Sequence, residues 1–284
     1  MKTIKKFKRV FGIGTILTAL VLVLLVTPIQ TIALEGKDLG DVASPMLEDY
    51  ASLMKTMRWG EYYNNSEAVI CVPNTVDSDT KICVYYAGGT GGNLLGLGFF
   101  EYYFKNFNPN CIFILFKNSH IYGIGRESNS IEEQTANLLN AVCNTYACFP
   151  KTIQIAGSSN GGYTTFHAAS YLYENYGFVT DKIMILDMGQ NWYKDEYLIT
   201  EEKAQPMVEM GTVVYHFGRA GEIFVMPGAV KFAGYGVPLV EVACKSGGHD
   251  AITNNAINYG LFSWLIGEDV KPDESLYTFT NVNF

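Results

Sequence analysis

The sequence predicts an α/β protein in which a mostly parallel β-sheet has helices on both faces. Short apolar runs of strand length alternate with longer segments whose apolar residues recur at helical spacing. Such alternation builds a parallel sheet, because each helix returns the chain to the edge where the next strand starts. About 250 residues remain after an apolar leader, which is enough for one core, so we expect one domain.

Residues 1–33 have the composition of a targeting segment. Five basic residues among the first nine precede an uncharged, mostly apolar run over residues 10–26. This run is long for a signal-peptide core and short for a spanning helix, so cleavage near Ala33 and retention as a membrane anchor both fit. We favour cleavage. In either case we expect the folded part to be secreted or otherwise extracytoplasmic.

Charge and histidine spacing exclude several classes of function. Loss of the leader removes five basic residues and takes the formal charge from −8 to −13. An acidic surface repels phosphate, and the chain has no basic stripe or zinc-finger pattern, so we expect no nucleic-acid partner. The four histidines are scattered and none has metal-ligand spacing, so we expect no metal and no other cofactor.

The chain after the leader divides into three parts. Residues 34–64 form an N-terminal extension, with a possible amphipathic helix over residues 45–57. Residues 65–268 contain the alternating strands and helices and form the predicted main domain. Residues 269–284 follow the last predicted helix and are assigned to a C-terminal tail.

The main domain begins with two predicted strands, 68–72 and 81–87, joined by a turn-rich connection that suggests a hairpin. Cys71 and Cys83 lie symmetrically about this connection. They could therefore face each other across the hairpin and form a disulfide, whereas buried free thiols are an equally good interpretation.

Helices and strands alternate through the rest of the domain. Ser130 and Glu133 form a capping box at the start of one helix. The 188–211 connection is too short for a large lid. The predicted helices are 93–104, 131–146, 162–176 and 251–266, and the predicted strands are 111–116, 152–156, 182–186, 212–217 and 238–243.

Residues 157–161, Gly-Ser-Ser-Asn-Gly, form a Gly-x-Ser-x-Gly pattern between a predicted strand and a predicted helix. A sharp strand-to-helix turn directs the side chain of its central residue, Ser159, away from the sheet, and the flanking glycines relieve crowding. An ordinary glycine turn is the alternative. The strand before the pattern and the helix after it favour a nucleophilic Ser159.

A nucleophilic serine needs a base. His249 lies in a Gly-Gly-His loop between the last predicted strand and the last predicted helix, where a side chain can project over the carboxyl edge of the sheet. The alternative role is a helix cap or an exposed loop residue. His167 and His216 fall inside a predicted helix and a predicted strand, so we interpret them as packing residues.

Backbone amides for an oxyanion are available in a glycine-rich loop that follows the 81–87 strand. Glycines let the main chain approach a substrate oxygen closely, and the amide after the nucleophile supplies a second donor. A nucleotide phosphate loop would end in Gly-Lys-Ser/Thr, which is absent here. The candidate donors are Gly88, Gly89, Thr90 and Asn160.

The order of these motifs resembles that of the α/β-hydrolase family over residues 65–268: a glycine-rich loop, the Gly-Ser-Ser-Asn-Gly turn, an acidic region and then Gly-Gly-His. Residues 121–128 also resemble a loop that these enzymes often contain. The resemblance implies a three-layer sandwich with a minimal lid and an esterase-like serine hydrolase activity. It further implies Ser159 as nucleophile and His249 as general base.

The orienting acid departs from the family pattern. Family members usually place an Asp after the penultimate strand, in a context such as His-Gly-x-x-Asp, whereas here Glu222 follows a His-Phe-Gly-Arg-Ala-Gly run. Glu222 is the first choice, because 27 residues separate it from His249 and leave room for a helix and a strand. Asp187 is the rival, because some family members have their acid after the earlier strand, here 182–186.

We therefore expect an exported serine hydrolase that cleaves a carboxylic ester, small or polymeric, through an acyl-enzyme on Ser159. A peptidase or acyltransferase would use the same groups. A non-catalytic extracellular binding protein on the same fold is the alternative from another class, and the unusual acid region favours it. Trp192 and Tyr193 could line a substrate pocket, although packing of a surface loop is the commoner role for such residues.

Overall fold

Nine strands form one sheet in the part of the chain that the computed structural model describes. The described residues are 54–56, 68–73, 75–88, 103, 107, 109–116, 131–159, 161–187, 200–218, 233–245, 252, 261–267 and 275–282. The strands are β1 (Met54–Thr56), β2 (Ala68–Cys71), β3 (Lys81–Tyr86), β4 (Cys111–Phe116), β5 (Ile153–Ser158), β6 (Thr180–Leu186), β7 (Val213–Gly218), β8 (Leu239–Cys244) and β9 (Tyr277–Val282). The helices are α1 (Ile131–Tyr146), α2 (Gly161–Tyr176), α3 (Glu201–Met210) and α4 (Leu261–Leu265).

The sheet has the order β1-β2-β4-β3-β5-β6-β7-β8-β9. The central strands from β4 to β8 are all parallel, whereas β2 and β9 pair antiparallel to β4 and β8. Every residue of β4 and β5 is buried, as expected for strands that are covered on both faces. The predicted mostly parallel sheet is confirmed.

Helices cover both faces of the sheet. On the first face, α1 and α2 pack on the strands through Leu139 and Phe166. On the second face, α4 and the helical residue Tyr103 pack through Phe262, whose ring lies 6.0 Å from that of Tyr103. The two apolar clusters on either side of one sheet form the predicted three-layer sandwich.

The central elements agree closely with the sequence. The predicted strand 111–116 and helix 131–146 coincide with β4 and α1, and the other described central strands and α2 differ from their predicted bounds by at most two residues. Most of the predicted 93–104 and 251–266 helices lies outside the described residues, although Ile252 and α4 are helical. Ser130 of the capping box and the 121–128 loop also lie outside them.

The predicted hairpin between β2 and β3 is wrong, because β4 lies between these two strands. Cys71 and Cys83 each have Phe113 of β4 as their register partner, on opposite sides of it. Two strand spacings of about 4.8 Å each separate the cysteines, which is farther than a disulfide spans. Strand β4 pairs with β2 on one edge and with β3 on the other, and its continuous apolar sequence fits a strand that is covered on both faces. All six cysteines are buried free thiols.

Three further elements differ from the sequence prediction. Helix α3 lies in the segment predicted as a plain connection. Strand β1 occupies the end of the predicted 45–57 helix, because pairing with β2 overrides local helical periodicity. Strand β9 lies in the predicted 269–284 tail and extends the sheet beyond residue 268.

The targeting segment falls outside the described residues, including the apolar run over residues 10–26. Among the helices that the structure describes, none combines the length and apolarity that membrane crossing requires. The described residues that belong to the main fold all lie within one compact unit of the chain, Leu34–Phe284.

Candidate functional site

The candidate site lies where the parallel strands β3, β5 and β6 end. In open α/β sheets, ligands bind at the carboxyl ends of the strands. Ser158 and Leu186 are register partners and are the last residues of β5 and β6. Ser159 and Asp187 come next in the chain, so they lie side by side at the ends of these two strands. Gly88 follows the end of β3, which is the other neighbour of β5. Three of the predicted site residues are therefore brought to one sheet edge.

Ser159 occupies the turn between β5 and α2. Its φ of +49° is left-handed, which a residue with a Cβ adopts only at a cost of about 1 kcal/mol or more. Its N–H donates to Leu186 O at 2.9 Å, and its carbonyl accepts from Gly162 N–H at 3.0 Å. These two bonds attach the strained residue to the neighbouring strand and to the start of the helix. The strand-turn-helix context required for a nucleophile is present.

Close packing explains the glycines of the motif. A Cβ at Gly157 would collide with the carbonyl group of Gly161 and would lie 2.8 Å from Thr165 Cγ2. A Cβ at Gly161 would collide with the carbonyl of Tyr86. Helix α2 can therefore start this close to β3 and β5 only if both positions lack a side chain.

The glycine-rich loop after β3 lies directly against the turn. A Cβ at Gly88 would lie 2.6 Å from Ser158 O and 2.6 Å from Ser159 Cβ. Gly88 was predicted as an oxyanion donor, yet its N–H donates to Ser158 Oγ at 3.1 Å. This amide is therefore not available to a substrate oxygen while that bond is made. The candidate donors Gly89, Thr90 and Asn160 lie outside the described residues.

Two residues at the site were not found from the sequence. Tyr85 Oη donates to Ser158 Oγ at 2.9 Å, and both side chains are buried. Burial raises the pKa of Tyr85 to about 12, against a smaller lowering by the Ser158 bond, so the phenol remains a neutral donor. Strand alternation is the sequence feature from which this contact could have been found. Tyr85 is the register partner of Ala156, and Ser158, two residues after Ala156, faces the same side of the sheet.

Asp187 follows β6 in a second left-handed conformation, with φ of +46°. It is only 4% exposed, and its N–H donates to Phe217 O at 2.8 Å. Burial, and after it the Asp187 charge, raises the pKa of the Cys244 thiol to about 12, which places a carboxylate within electrostatic reach of the end of β8. The rival acid is thus a buried carboxyl group at the end of the strand next to β5.

The remaining predicted site residues lie outside the described part of the chain. Two histidines that were interpreted as packing residues are described. His216 Nδ1 contacts Glu241 Oε2 at 2.8 Å, and His167 Nδ1 contacts Lys203 Nζ at 2.8 Å. Both imidazoles are buried, so each works as a core polar contact. The predicted residues outside the described part are Glu222, His249, Trp192 and Tyr193, besides the three donors named above.

Within the same described residues, no cluster of three or more His, Cys, Asp or Glu side chains has the arrangement of a metal site.

The strand order, the parallel centre and the glycine-flanked serine turn after β5 together define an α/β-hydrolase fold. The expected resemblance to that family is confirmed at the level of the fold.

Comparison with known proteins agrees with this assignment. No protein-family model matches the sequence, and no curated protein matches it either. Among solved structures, the fluorophosphonate-binding serine hydrolase FphF of Staphylococcus aureus is similar, with 16% identity, coverage of 70% of this chain and 91% of that chain, and a TM-score of 0.51. Native pOPH has 12% identity, coverage of 76% and 90%, and a TM-score of 0.49. The poly(3-hydroxybutyrate) depolymerase LpqC of Bordetella parapertussis has 13% identity, coverage of 73% and 87%, and a TM-score of 0.46.

Proposed function

We propose that this protein is an exported serine hydrolase that cleaves carboxylic esters through an acyl-enzyme on Ser159. The observation that carries the proposal is the left-handed backbone of Ser159 at a strand-turn-helix junction. A serine held in such a turn at the sheet edge presents its hydroxyl to a substrate carbonyl. The two flanking glycines allow this turn to pack tightly between β3, β5 and the start of α2.

The proposed reaction has two steps. Ser159 Oγ attacks the ester carbonyl while His249 accepts the hydroxyl proton, and His249 then gives that proton to the leaving alcohol. In the second step His249 removes a proton from water, which attacks the acyl-enzyme; the acyl–Ser159 bond breaks, His249 returns the proton to Ser159 Oγ, and the carboxylic acid is released. Amides of Gly89, Thr90 and Asn160 would stabilise the oxyanion, which develops in both steps.

Asp187 has properties that suit the acid that orients His249. It is buried, it follows the strand next to the nucleophile, and its backbone is strained. A buried carboxylate can stabilise an imidazolium strongly, because water does not screen the pair. These observations support Asp187 over Glu222, the first choice from the sequence.

The leader supports export. Basic residues followed by the apolar run over residues 10–26 have the composition of a secretion signal. If the segment is not cleaved, it would anchor the hydrolase domain to the outer face of a membrane. Trp192 and Tyr193 are proposed to line the substrate pocket, and either small or polymeric esters would be suitable substrates.

Fluorophosphonate labelling tests the proposal. Purified residues 34–284 should label at one site and hydrolyse p-nitrophenyl butyrate, whereas Ser159→Ala and His249→Ala should lose both reactions. Ser78→Ala is the matched control, because Ser78 is an exposed serine in the turn before β3. It should label as the wild type does.

Equal labelling of the wild type and Ser159→Ala would exclude Ser159 as the nucleophile. Absence of both labelling and turnover in a correctly folded wild type would favour the non-catalytic binding protein. Turnover of peptides, or acyl transfer to an added alcohol, at a higher kcat/KM than ester hydrolysis would identify a peptidase or an acyltransferase.

A further inference from the structure

Ser158, the residue before the proposed nucleophile, is at the centre of a small hydrogen-bond network. Its hydroxyl oxygen accepts from Tyr85 Oη at 2.9 Å and from Gly88 N–H at 3.1 Å. A serine hydroxyl oxygen has two lone pairs, so these two donors occupy its capacity as an acceptor. The network therefore connects β3, β5 and the first residue of the glycine-rich loop.

The network is rigid on the strand side. The Tyr85 ring lies in the second-face core with its centroid 5.9 Å from that of Phe262, in an edge-to-face arrangement. The raised pKa of its phenol keeps the proton on Tyr85 throughout the neutral range, so the direction of donation to Ser158 does not change. A buried neutral donor of this kind holds the Ser158 hydroxyl in one rotamer.

The network determines where the loop leaves the sheet. The Gly88 backbone approaches the Ser158 carbonyl too closely for any side chain, and its N–H is directed to the Ser158 hydroxyl. Steric contact limits how near the loop can come, and the hydrogen bond limits how far it can withdraw. The proposed donors Gly89 and Thr90 are one and two residues further along the chain.

We propose that Tyr85 and Ser158 are positioning residues that hold the oxyanion loop against the nucleophile turn. The inference rests on the proposed function, since it assigns a role to the loop in stabilising an oxyanion. Neither side chain needs to touch the substrate. They act through the Gly88 amide, and their contribution is realised mainly in the transition state, when the oxyanion requires its donors at hydrogen-bonding distance.

Two variants test the catalytic part. Ser158→Ala removes the acceptor, and we expect kcat for p-nitrophenyl butyrate to fall about 10- to 100-fold with KM changed less than about threefold. Tyr85→Phe keeps the ring and removes only the donor, so we expect a smaller loss of kcat, about 3- to 10-fold. Binding of a trifluoromethyl ketone transition-state analogue should weaken in parallel with kcat.

Tyr86→Phe is the matched control. Tyr86 is the next residue of the same strand, is equally buried, and makes a hydrogen bond of 2.8 Å to Thr135 Oγ1 of α1 on the opposite face of the sheet. Its loss removes one buried tyrosine hydroxyl bond without touching Ser158. We expect a similar loss of thermal stability but a kcat within twofold of wild type, which separates a positioning effect from general destabilisation.

Hydrogen exchange of the loop provides a readout that does not depend on activity. In the wild type, the Gly88 amide is protected by Ser158, so Ser158→Ala should add one fast-exchanging amide to the peptide that contains Gly88. Tyr86→Phe should not. This measurement remains informative for Ser158→Ala and Tyr85→Phe even if the wild-type protein has no esterase activity.

Wild-type kcat and unchanged Gly88 exchange in a folded Ser158→Ala would overturn the inference and leave the proposed function standing. A rise in KM at constant kcat would also overturn it, because it would assign the pair to ground-state binding. Failure of the wild type to label at Ser159 would instead overturn the proposed function, and faster Gly88 exchange would then support only the structural half of the inference.

Discussion

Three non-glycine residues among those that the structure describes have left-handed backbones: Ala147, Ser159 and Asp187. Ala147 lies just after α1, where the Cys148 N–H donates back to Cys143 O at 3.1 Å, so its conformation is that of an ordinary helix C-terminus. Ser159 and Asp187 instead directly follow the ends of the neighbouring strands β5 and β6. Strain that helix termination does not explain, at two adjacent points of one sheet edge, indicates a functional site.

The acid can be assigned by exchanging each carboxylate for its amide. We expect Asp187→Asn to lower kcat for ester hydrolysis about 10³- to 10⁴-fold, because the amide cannot stabilise the imidazolium that forms on His249. Glu222→Gln should lower it less than about threefold. Steady-state kinetics with p-nitrophenyl butyrate and a thermal melt of each variant provide the measurement. The opposite ranking would restore Glu222 as the acid.

The glycines of the serine turn can be tested by adding one methyl group. Gly161→Ala would drive a Cβ into the Tyr86 carbonyl, and we expect a loss of about 1–3 kcal/mol in unfolding free energy together with loss of Ser159 labelling. Gly234→Ala is the control, because a Cβ there meets nothing within 4 Å. Urea unfolding should show the control unchanged or slightly stabilised. Equal effects of the two substitutions would contradict the packing explanation.

At the scale of elements, the sequence predicts the centre of the sheet well and its edges poorly. Strands β4 and β5 are buried on every side, so their apolar runs identify them without knowledge of their partners. Strand β1 has three residues and β9 lies at the opposite edge, so each depends on pairing with one neighbour. Such pairing is a tertiary property, and local patterns do not contain it.

The position of β4 between β2 and β3 was likewise not accessible from local signals. The short connection between β2 and β3 favours a hairpin, and only the competition among strands for the apolar β4 decides otherwise. The candidate site shows the same difference between local features, which the sequence predicts, and long-range contacts, which it does not. The Ser159 turn is a local motif and was predicted, whereas the Tyr85 to Ser158 bond joins residues 73 positions apart and was not.

Helix α3 could have been predicted from its termini. Thr200 is an N-cap whose side chain accepts from Lys203 N–H, two glutamates follow it, and Gly211 ends the helix with φ of +70°. Pro206, inside the helix, conceals these signals because proline normally interrupts a helix. One proline is tolerated in α3 because the capped ends and the burial of Ala204 and Met207 compensate for the lost backbone hydrogen bond.

The Thr200 cap provides a test at this scale. Thr200→Ala should lower the free energy of unfolding by about 0.5–1 kcal/mol, since the Lys203 N–H loses its acceptor at the first turn. Activity should not change, because α3 packs on the first face through Ala204 and Met207. Chemical denaturation and ester turnover would be measured on the same sample. If kcat falls by more than the lower fraction of folded protein accounts for, α3 contributes to the site.

Buried thiols set the response of the whole molecule to alkaline pH. Burial raises the pKa of Cys71 and Cys83 well above the range of free thiols, that of Cys143 to about 11 and that of Cys244 to about 12. In the unfolded chain these thiols lose their protons near pH 8.5. Above that pH the folded state binds more protons than the unfolded state, so stability must decrease as the pH rises.

We therefore expect the contribution of these thiols to the free energy of unfolding to be flat below about pH 8 and to fall between about pH 8.5 and 11, by up to about 1.4 kcal/mol per pH unit for each such thiol. Urea unfolding of the reduced protein across this range measures the slope. Cys83→Val removes one fully buried thiol from β3 while retaining an apolar side chain, so its slope should be smaller by the contribution of one proton. An identical slope in Cys83→Val would mean that Cys83 is not a buried free thiol, and a disulfide search by mass spectrometry would then identify its partner.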